Sequence, residues 1–489
     1  MSADFLAFDL GAESGRAIIG RLRSGILSLN EIYRFQNEPV RWNGTLQWDI
    51  LRLWLELKRG LERVSDTRLA SVAVDAWGVD YALLGDRGNL LENPYHYRDA
   101  RNAGMMAAVF ERVSREKIYA VTGIQFLQIN TLYQLFGACH STPNLVDAAT
   151  SLATIPDLFN YWLSGELASE YTVATTTQFV DATARTWATR LLSEIGLPTR
   201  LLTPIAQPGS VLGTIQRTAS ERASGTPVVL PACHDTASAV ASVSSGPSSA
   251  FISSGTWSLL GTELLAPVLT AKARDLNFTN EGGVAGTIRL LKNIGGLWLL
   301  QSCRRAWAAE GQHFEYAELL EAAADEGLAF RSLVDPDHSG FLNPDSMPVA
   351  IADYCRRTGQ PEPATPPAYV RTILESLALK YRMVLKALED VTSVHFEEIR
   401  IVGGGSRNRL LNQYAANATG LPVIAGPIEA TALGNIAMQM LATGAVSSVA
   451  EARQVIERSY PVERFSPQAV DLWDAQYRRF ADYMEFTCA

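Results

Sequence analysis

Apolar positions in this chain gather in short runs that end on an acid and a glycine. "DFLAFDL" (4–10) is apolar at both alternating sets of positions, as in a strand covered on both faces, and it runs out at Asp9 and Gly11. "RAIIGRL" follows at once as a partner strand, and "GILSLNEIYRF" supplies a third. "LASVAVDAWG" (69–78) is another strand, ending on Asp75 and a glycine. "YALLGDRGNLL" reads as a hairpin that turns at Asp86, Arg87 and Gly88. Between these, "WDILRLWLELKRGLERV" carries apolar residues at helical spacing. Strands mixed with crossover helices predict an α/β fold.

The pattern returns halfway along. "SSGPSS" (244–249) reads as a hinge, and "AFISSGTWSLLGTEL" after it is again strand, small-residue turn, strand. Gly255 matches Gly11, so the copies stand 255 − 11 = 244 residues apart in a chain of 489. This spacing predicts two similar domains, 1–243 and 250–489, joined at 244–249, with a ligand cleft between them. Further on, "TPPAYVRTILESLALKYRMVLKALEDV" is a long amphipathic helix with prolines at its start. "EEIRIVGGGSRNRLLNQYAANATG" is strand, three glycines and helix. Val470, Trp473, Tyr477, Phe480 and Met484 form a stripe suited to core packing.

Composition narrows the function. A chain of 489 residues is too long for one core, and 47% hydrophobic with 19% charged residues is ordinary for a soluble globular protein. A net charge of −9 argues against an extended nucleic-acid surface, which needs clustered Lys and Arg. "MSADFLAFDLG" has no basic segment followed by an apolar stretch, and no run approaches membrane-spanning length. The expectation is a cytoplasmic protein without a signal peptide. Cys139, Cys233, Cys303, Cys355 and Cys488 are scattered and form no C-x-x-C pair, which predicts reduced thiols.

Four stretches could carry chemistry, each with a plainer alternative. "DLGAESGR" (9–16) combines two glycines, a hydroxyl, Arg16 and a strand-end acid, which suits phosphate without a P-loop lysine but also suits a hairpin turn. "SSGTWS" (253–258) offers Ser253, Ser254, Thr256 and Ser258 around Gly255 as a second phosphate cradle, or a second unrelated turn. "IVGGGSRN" (401–408) ends on Asn408 where a dinucleotide fingerprint needs glycine, leaving a strand-to-helix turn that either meets a nucleotide or only packs. "PACHDTASAV" (231–240) places His234 and Asp235 at a helix start. Cys233, His234 and Asp235 do not form a relay, because consecutive helical side chains diverge by roughly a third of a turn. Asp235 reads as a general base or as a helix cap. "DPDHSGFLNPDS" (335–346) imitates a calcium loop with Asp335, Asp337, Ser339 and Gly340, but Pro336 intrudes and Ser346 replaces the required Glu. It reads as a surface loop.

These stretches, with "FDLGAESGR", "DAWGVDYALL", "GIQFLQINTLYQL", "TTTQ", "CHDTASAV", "SSGTWSL", "TNEGG", "LKNIGGLWLLQ" and "AGPIEATALGNIA", make the whole chain resemble the FGGY family of carbohydrate kinases. The resemblance implies two actin-like ATPase (ribonuclease H-like) domains of the type found in hexokinase and actin. It implies ATP-dependent phosphorylation of the C1 hydroxyl of L-rhamnulose, with ATP and Mg²⁺ and with Asp235 as base. Ala12, Glu13, Ser14, Gly15 and Arg16 would meet the ATP phosphates, with Asp9 near the metal through water. Thr256 would bind phosphate from the other side, and Gln301 and Gly404 would hold the nucleotide. Gly78, His234, Asp235, Thr236 and Asn293 would surround the sugar. The Glu13 carboxylate is expected to point away from phosphate. Another ketose or polyol, such as L-fuculose or D-xylulose, and a non-kinase actin-like ATPase switch are the alternatives. A base beside an acceptor hydroxyl favours the kinase. A sugar and ATP are the expected partners, with no nucleic acid and no membrane, and a monomer is compatible with the sequence.

Overall fold

The computed structural model describes residues 2–64, 68–244 and 246–487. Ser245 of the expected hinge and Cys488 lie outside the described residues. The chain forms two compact units, one of residues 1–244, 263–290 and 429–461, the other of 245–262, 291–428 and 462–489. The division is therefore not a single cut at 244–249. Segments 263–290 and 429–461 rejoin the first unit because they bury side chains there.

The first unit is built on six strands: β1 (Ser2–Leu10), β2 (Ser14–Arg23), β3 (Ile26–Gln36), β4 (Ser71–Ala76), β5 (Ser210–Thr214) and β6 (Pro227–Leu230). Their order is β5-β6-β4-β1-β2-β3, with β1 antiparallel to β2 and parallel to β4, and β4 parallel to β6. Alternation along β1 explains its apolar run. Leu6, Phe8 and Leu10 pack with Ile50, Leu53 and Leu57 of helix Ile50–Glu62 and with Leu158 and Phe159 of helix Ile155–Ser164. Phe5 and Ala7 face the other way, onto Leu433, Ile436, Ala437 and Met440 of helix Ala430–Ala442. Both faces are covered, so both sets of positions must be apolar.

The second unit repeats the motif. Here β7 (Ser249–Ser254) and β8 (Trp257–Leu264) are antiparallel, and β7 pairs in parallel with β9 (Glu398–Val402). Beyond β9 come β10 (Val423–Ala425), parallel to it, and β11 (Glu463–Phe465), antiparallel. The correspondence of Gly11 and Gly255 is thus a correspondence of strand–turn–strand units. The long helix runs from Pro366 to Thr392, and the Thr365 side chain accepts a hydrogen bond from the Ala368 N–H at its start. In helix Val470–Thr487 the stripe is mostly core: Trp473 sits 4.8 Å from the Phe330 ring and 5.3 Å from Tyr414, and Phe480 is buried. Val470 is exposed, and Tyr477 lies beneath Arg382 and Lys386.

Two local readings need correction. Tyr81–Leu84 pairs with Ser151–Thr154 rather than forming a self-contained hairpin, although the turn expected at Arg87 and Gly88, both at positive φ, is present and closes a Leu84–Leu90 bridge. The 335–346 loop is not merely superficial, since Lys380 Nζ lies 2.8 Å from Asp335 and 3.0 Å from Asp337. A lysine on the long helix thus occupies the carboxylates that resembled calcium ligands. Cys139, Cys233, Cys303 and Cys355 are free thiols, and among the described residues no helix is long and apolar enough to cross a membrane.

Helix Asp235–Ala241 lies against helix Ala430–Ala442 at Gly434, where an added Cβ would fall 1.7 Å from the Ser238 carbonyl oxygen. Only a residue without Cβ permits this approach. Gly434→Ala is expected to lower stability by about 2 kcal/mol or more, read as a fall in the thermal or urea midpoint. An unchanged midpoint would contradict the packing argument.

Candidate active site

Three carboxylates stand at the C-terminal ends of three neighbouring parallel strands. Asp9 of β1 is paired in register with Asp75 of β4, and the next residue, Ala76, bridges to His234, the residue before Asp235. The crevice outside strand carboxyl ends is where open α/β sheets bind ligands, because the chain leaves the sheet there and side chains are free to converge. The negative charge of its neighbours raises the proton affinity of Asp75. Burial pushes the Asp75 carboxyl well above the usual carboxylate range, and Asp9 and Asp235 push it the same way against a hydrogen bond from Asn435 Nδ2 at 2.6 Å. Asp75 Oδ1 is buried without a protein partner among the described residues.

Arg16 answers part of this charge. Its Nη2 donates to Asp9 Oδ2 and its Nη1 to Glu429 Oε2, so the guanidinium joins a nearby carboxylate to one 413 positions further along the chain. Burial opposes its charge, but the two acids outweigh that and raise its pKa. The structure thus places Arg16 in a carboxylate bridge, a role the loop "DLGAESGR" did not reveal, and it brings in Glu429, which lay unremarked inside "AGPIEATALGNIA". The turn itself is tight: Gly11 N–H donates to the Ser14 carbonyl at 2.9 Å, and the Gly11 carbonyl accepts from Asn37 Nδ2 at 2.9 Å. Gly15 is small for a packing reason, since a Cβ there would lie 2.2 Å from the Phe35 ring. Glu13 is exposed, and its carbonyl accepts from the Asn37 N–H.

Asp235 opens its helix as first residue, with His234 in the capping position, so it is not the cap. Its Oδ1 accepts from the Thr236 N–H at 2.6 Å and from the Thr236 hydroxyl at 3.3 Å, and His234 Nε2 stands 3.4 Å away. Burial pushes its pKa up, His234 pulls it down and Asp9 pushes it up again, while 31% of its side chain stays open. The backbone beneath is pinned by Glu170, which accepts from the Cys233 N–H at 3.0 Å and from the Thr172 hydroxyl at 2.6 Å. Thr172 Oγ1 in turn accepts from the His234 N–H at 3.2 Å. Burial lifts the Glu170 pKa to about 7. Gly78 sits where a Cβ would meet Thr176 Oγ1 at 2.9 Å, directly before a buried clasp in which Asp80 Oδ2 accepts from the indole N–H of Trp48 at 2.6 Å and of Trp77 at 3.0 Å.

The remaining expected residues lie in the second unit. The Gly255 and Thr256 carbonyls accept from the Leu297 N–H at 3.0 Å and the Trp298 N–H at 3.1 Å, so helix Trp298–Ala309 starts on this turn. Gln301, in the first turn of that helix, keeps Oε1 buried without a protein partner among the described residues. Of the four hydroxyls in "SSGTWS", Ser258 is buried on the Tyr381 hydroxyl at 2.7 Å and Ser254 is buried under Gly405, leaving Ser253 and Thr256 half-buried. In "IVGGGSRN", Gly403 and Gly405 press on Ser254, whereas Gly404 is exposed with open space at its Cα. Asn408 caps helix Arg409–Thr419, accepting from the Leu411 N–H at 2.9 Å, which is why it stands in place of a fingerprint glycine. Asn293 is half-buried on strand Ile288–Gly295. The expected site residues therefore form two groups: Asp9, Arg16, Gly78, His234, Asp235 and Thr236 in the first unit, and Thr256, Asn293, Gln301 and Gly404 in the second.

A magnesium ion fits this donor set with water or phosphate completing its shell. Among the described residues no three His, Cys, Asp or Glu side chains stand close enough to ligate a metal directly. Yet Asp9 and the orphaned oxygen of Asp75 offer acceptor oxygens at adjacent strand ends. That suits a hydrated Mg²⁺ held through its waters.

Known proteins resemble this chain over nearly its full length. The N-terminal domain profile of the FGGY family of carbohydrate kinases matches residues 5–242, and the C-terminal domain profile matches 250–443. A protein named rhamnulokinase from Bacteroides thetaiotaomicron is 45% identical over 98% of this chain and 99% of its own length. One of the same name from Pectobacterium atrosepticum is 42% identical over 98% and 96%. Among solved structures, a xylulose kinase from Rhodospirillum rubrum matches 99% of this chain and 100% of its own at TM-score 0.79 with 20% identity. A Plasmodium falciparum glycerol kinase with ADP matches 100% and 98% at TM-score 0.74 with 14% identity. These likenesses establish the two-domain, actin-like fold.

The Arg16 bridge makes a measurable demand. In a double-mutant cycle, Arg16→Ala and Glu429→Ala are expected to couple by about 1 kcal/mol or more, because each single variant strands a partly buried charge. Additive unfolding free energies would contradict the bridge.

Proposed function

The chain belongs to the FGGY family of carbohydrate kinases, and from that premise we propose that it transfers the terminal phosphoryl group of ATP to the C1 hydroxyl of L-rhamnulose. The products are L-rhamnulose 1-phosphate and ADP. The observation that carries the reading is Asp235, a partly open carboxylate of raised proton affinity at a strand end beside Asp9 and Asp75. Relatives named rhamnulokinase, alike over nearly the full chain, support the choice of sugar.

In this reading Asp235 accepts the C1 hydroxyl proton as that oxygen bonds to phosphorus, and the ATP β-phosphate leaves with the old bond's electrons. Oδ1 is held by Thr236 and faces His234, so Oδ2 takes the proton. His234, Thr236, Gly78 and Asn293 would position the sugar. Ala12, Glu13, Ser14 and Gly15 would present the turn's backbone to the phosphates beside Arg16, and Thr256, Gln301 and Gly404 would hold the nucleotide. Mg²⁺, when bound near Asp9, supplies charge neutralisation of the phosphates. A carboxylate base contributes modestly, so positioning and preorganised charge must supply most of the acceleration. Consumption of ATP and a cytosolic sugar fits a cytoplasmic enzyme.

A coupled ADP-release assay across L-rhamnulose, L-fuculose, D-xylulose and glycerol tests the substrate. L-Rhamnulose should give the highest kcat/KM, and preference for another sugar would overturn the assignment. Asp235→Asn should cut kcat by about 10²-fold or more while ATP KM changes little; near-normal turnover would remove Asp235 as base. Because the base form is the active one and its pKa is raised, activity should fade on acidification at a higher pH than an ordinary aspartate, near 3.9 in model peptides, would give. A pH profile of kcat flat down to that value would contradict the raised pKa.

A further inference from the structure

Behind His234, on the side away from Asp235, lies a buried ion pair that the reaction scheme leaves unused. Arg289 is fully buried, and its Nη2 donates to Glu281 Oε2 at 3.0 Å while its Nε donates to the Gly282 carbonyl at 2.9 Å. The same Nη2 stands 3.2 Å from His234 Nδ1 in hydrogen-bonding geometry. Glu281 Oε2 is 3.3 Å from that nitrogen. On the far side of the ring, His234 Nε2 faces Asp235 Oδ1 at 3.4 Å. An imidazole between a guanidinium and a carboxylate must settle where its proton resides, and the neighbours decide it.

Guanidinium hydrogens are fixed in the plane of the group and cannot rotate away. Of the two on Nη2, one serves Glu281 and the other is aimed at His234 Nδ1. A proton on Nδ1 would meet that N–H head-on. Its alternative acceptor, Glu281 Oε2 at 3.3 Å, already accepts from Arg289 Nη2 at 3.0 Å. The consistent assignment leaves Nδ1 as an acceptor and the ring proton on Nε2.

We propose that Arg289 is a positioning residue that fixes the neutral Nε2–H tautomer of His234, so that His234 donates to Asp235 Oδ1 and leaves Oδ2 to take the substrate proton. The polar contacts run from Arg289, anchored by Glu281, through His234 to Asp235, whose Oδ1 faces Nε2 at 3.4 Å. Thr236 and His234 then engage Oδ1 together, while Oδ2 accepts no protein hydrogen bond among the described residues. The consequence for catalysis rests on the reading of Asp235 as base; the tautomer itself does not.

The test is a long-range ¹H–¹⁵N spectrum of the full-length protein labelled at histidine, recorded near neutral pH without substrate. The chain has six histidines, and the His234 signal is assigned by its loss in His234→Asn. The wild-type ring should show the Nε2–H pattern. In Arg289→Met the proton should move to Nδ1, toward Glu281, or the ring should become doubly protonated. In the same variant kcat for the preferred sugar should fall about 10- to 100-fold, the scale seen for outer-shell partners, with ATP KM within about two-fold. Arg289→Lys, which keeps the charge without the fixed fork, should recover folding yet not the wild-type tautomer. A wild-type ring protonated on Nδ1, or an Arg289 variant with unchanged tautomer, would overturn the proposal. The wild-type spectrum decides even if both variants fail to fold. A wrong tautomer in an active kinase sinks only this inference, whereas the expected tautomer in a protein inactive on all four sugars sinks only the functional reading.

Discussion

The structure depends on placing three carboxylates at the ends of adjacent parallel strands without letting their repulsion undo the sheet. Asp9, Asp75 and Asp235 are brought together by the strand register and by one bridge from Ala76 to His234. Each is answered differently. Asp9 receives the Arg16 guanidinium, Asp75 receives the Asn435 amide, and Asp235 receives the Thr236 backbone and faces an imidazole. In the proposed reaction this incomplete compensation serves the chemistry, because a carboxylate held above its usual pKa is a better proton acceptor once ionised.

The surrounding scaffold follows from that requirement. Helix Ala430–Ala442 must come close enough for Asn435 to reach Asp75 and for Gln439 to bond Ser71 and the Leu6 carbonyl, which is why Gly434 lies against Ser238. Glu170 and Thr172 hold the Cys233–His234 backbone from the opposite side. Glu281 and Arg289 press on the imidazole from behind. The site is thus supported by three stretches far apart in the chain, each supplying hydrogen-bonding groups to residues it does not adjoin in sequence.

That dispersal explains what could be read beforehand. β1, β2, β4 and the turn at Gly255 were legible because burial on one or both faces imposes a periodic apolar pattern; strand ends marked by an acid and a glycine pointed to Asp9 and Asp75, and the helix start in "PACHDTASAV" pointed to Asp235. The partner of Tyr81–Leu84 was not legible, since a nearby turn sequence competes with a strand some 70 positions later, Ser151–Thr154. Nor was the Arg16 bridge, whose acid lies 413 residues away. Arg289 did carry a signal in retrospect: a charge between the apolar residues of "IRLL" needs a buried partner. Local pattern also gave no sign that Ser254 and Ser258 would turn inward to Gly405 and Tyr381, because hydroxyls suit a phosphate cradle and a strand interior equally.

The central claim, that burial and the neighbouring Asp9 raise the proton affinity of Asp235 against the pull of His234, can be measured without any substrate. Carboxyl ¹³C titration of aspartate-labelled protein, with the Asp235 signal assigned by its loss in Asp235→Asn, reads that affinity directly. Wild-type Asp235 should titrate above the ordinary aspartate range, and Asp9→Asn should bring it down, since Asp9 pushes it up. An Asp235 that titrates as a free aspartate, or that is indifferent to loss of Asp9, would contradict the account.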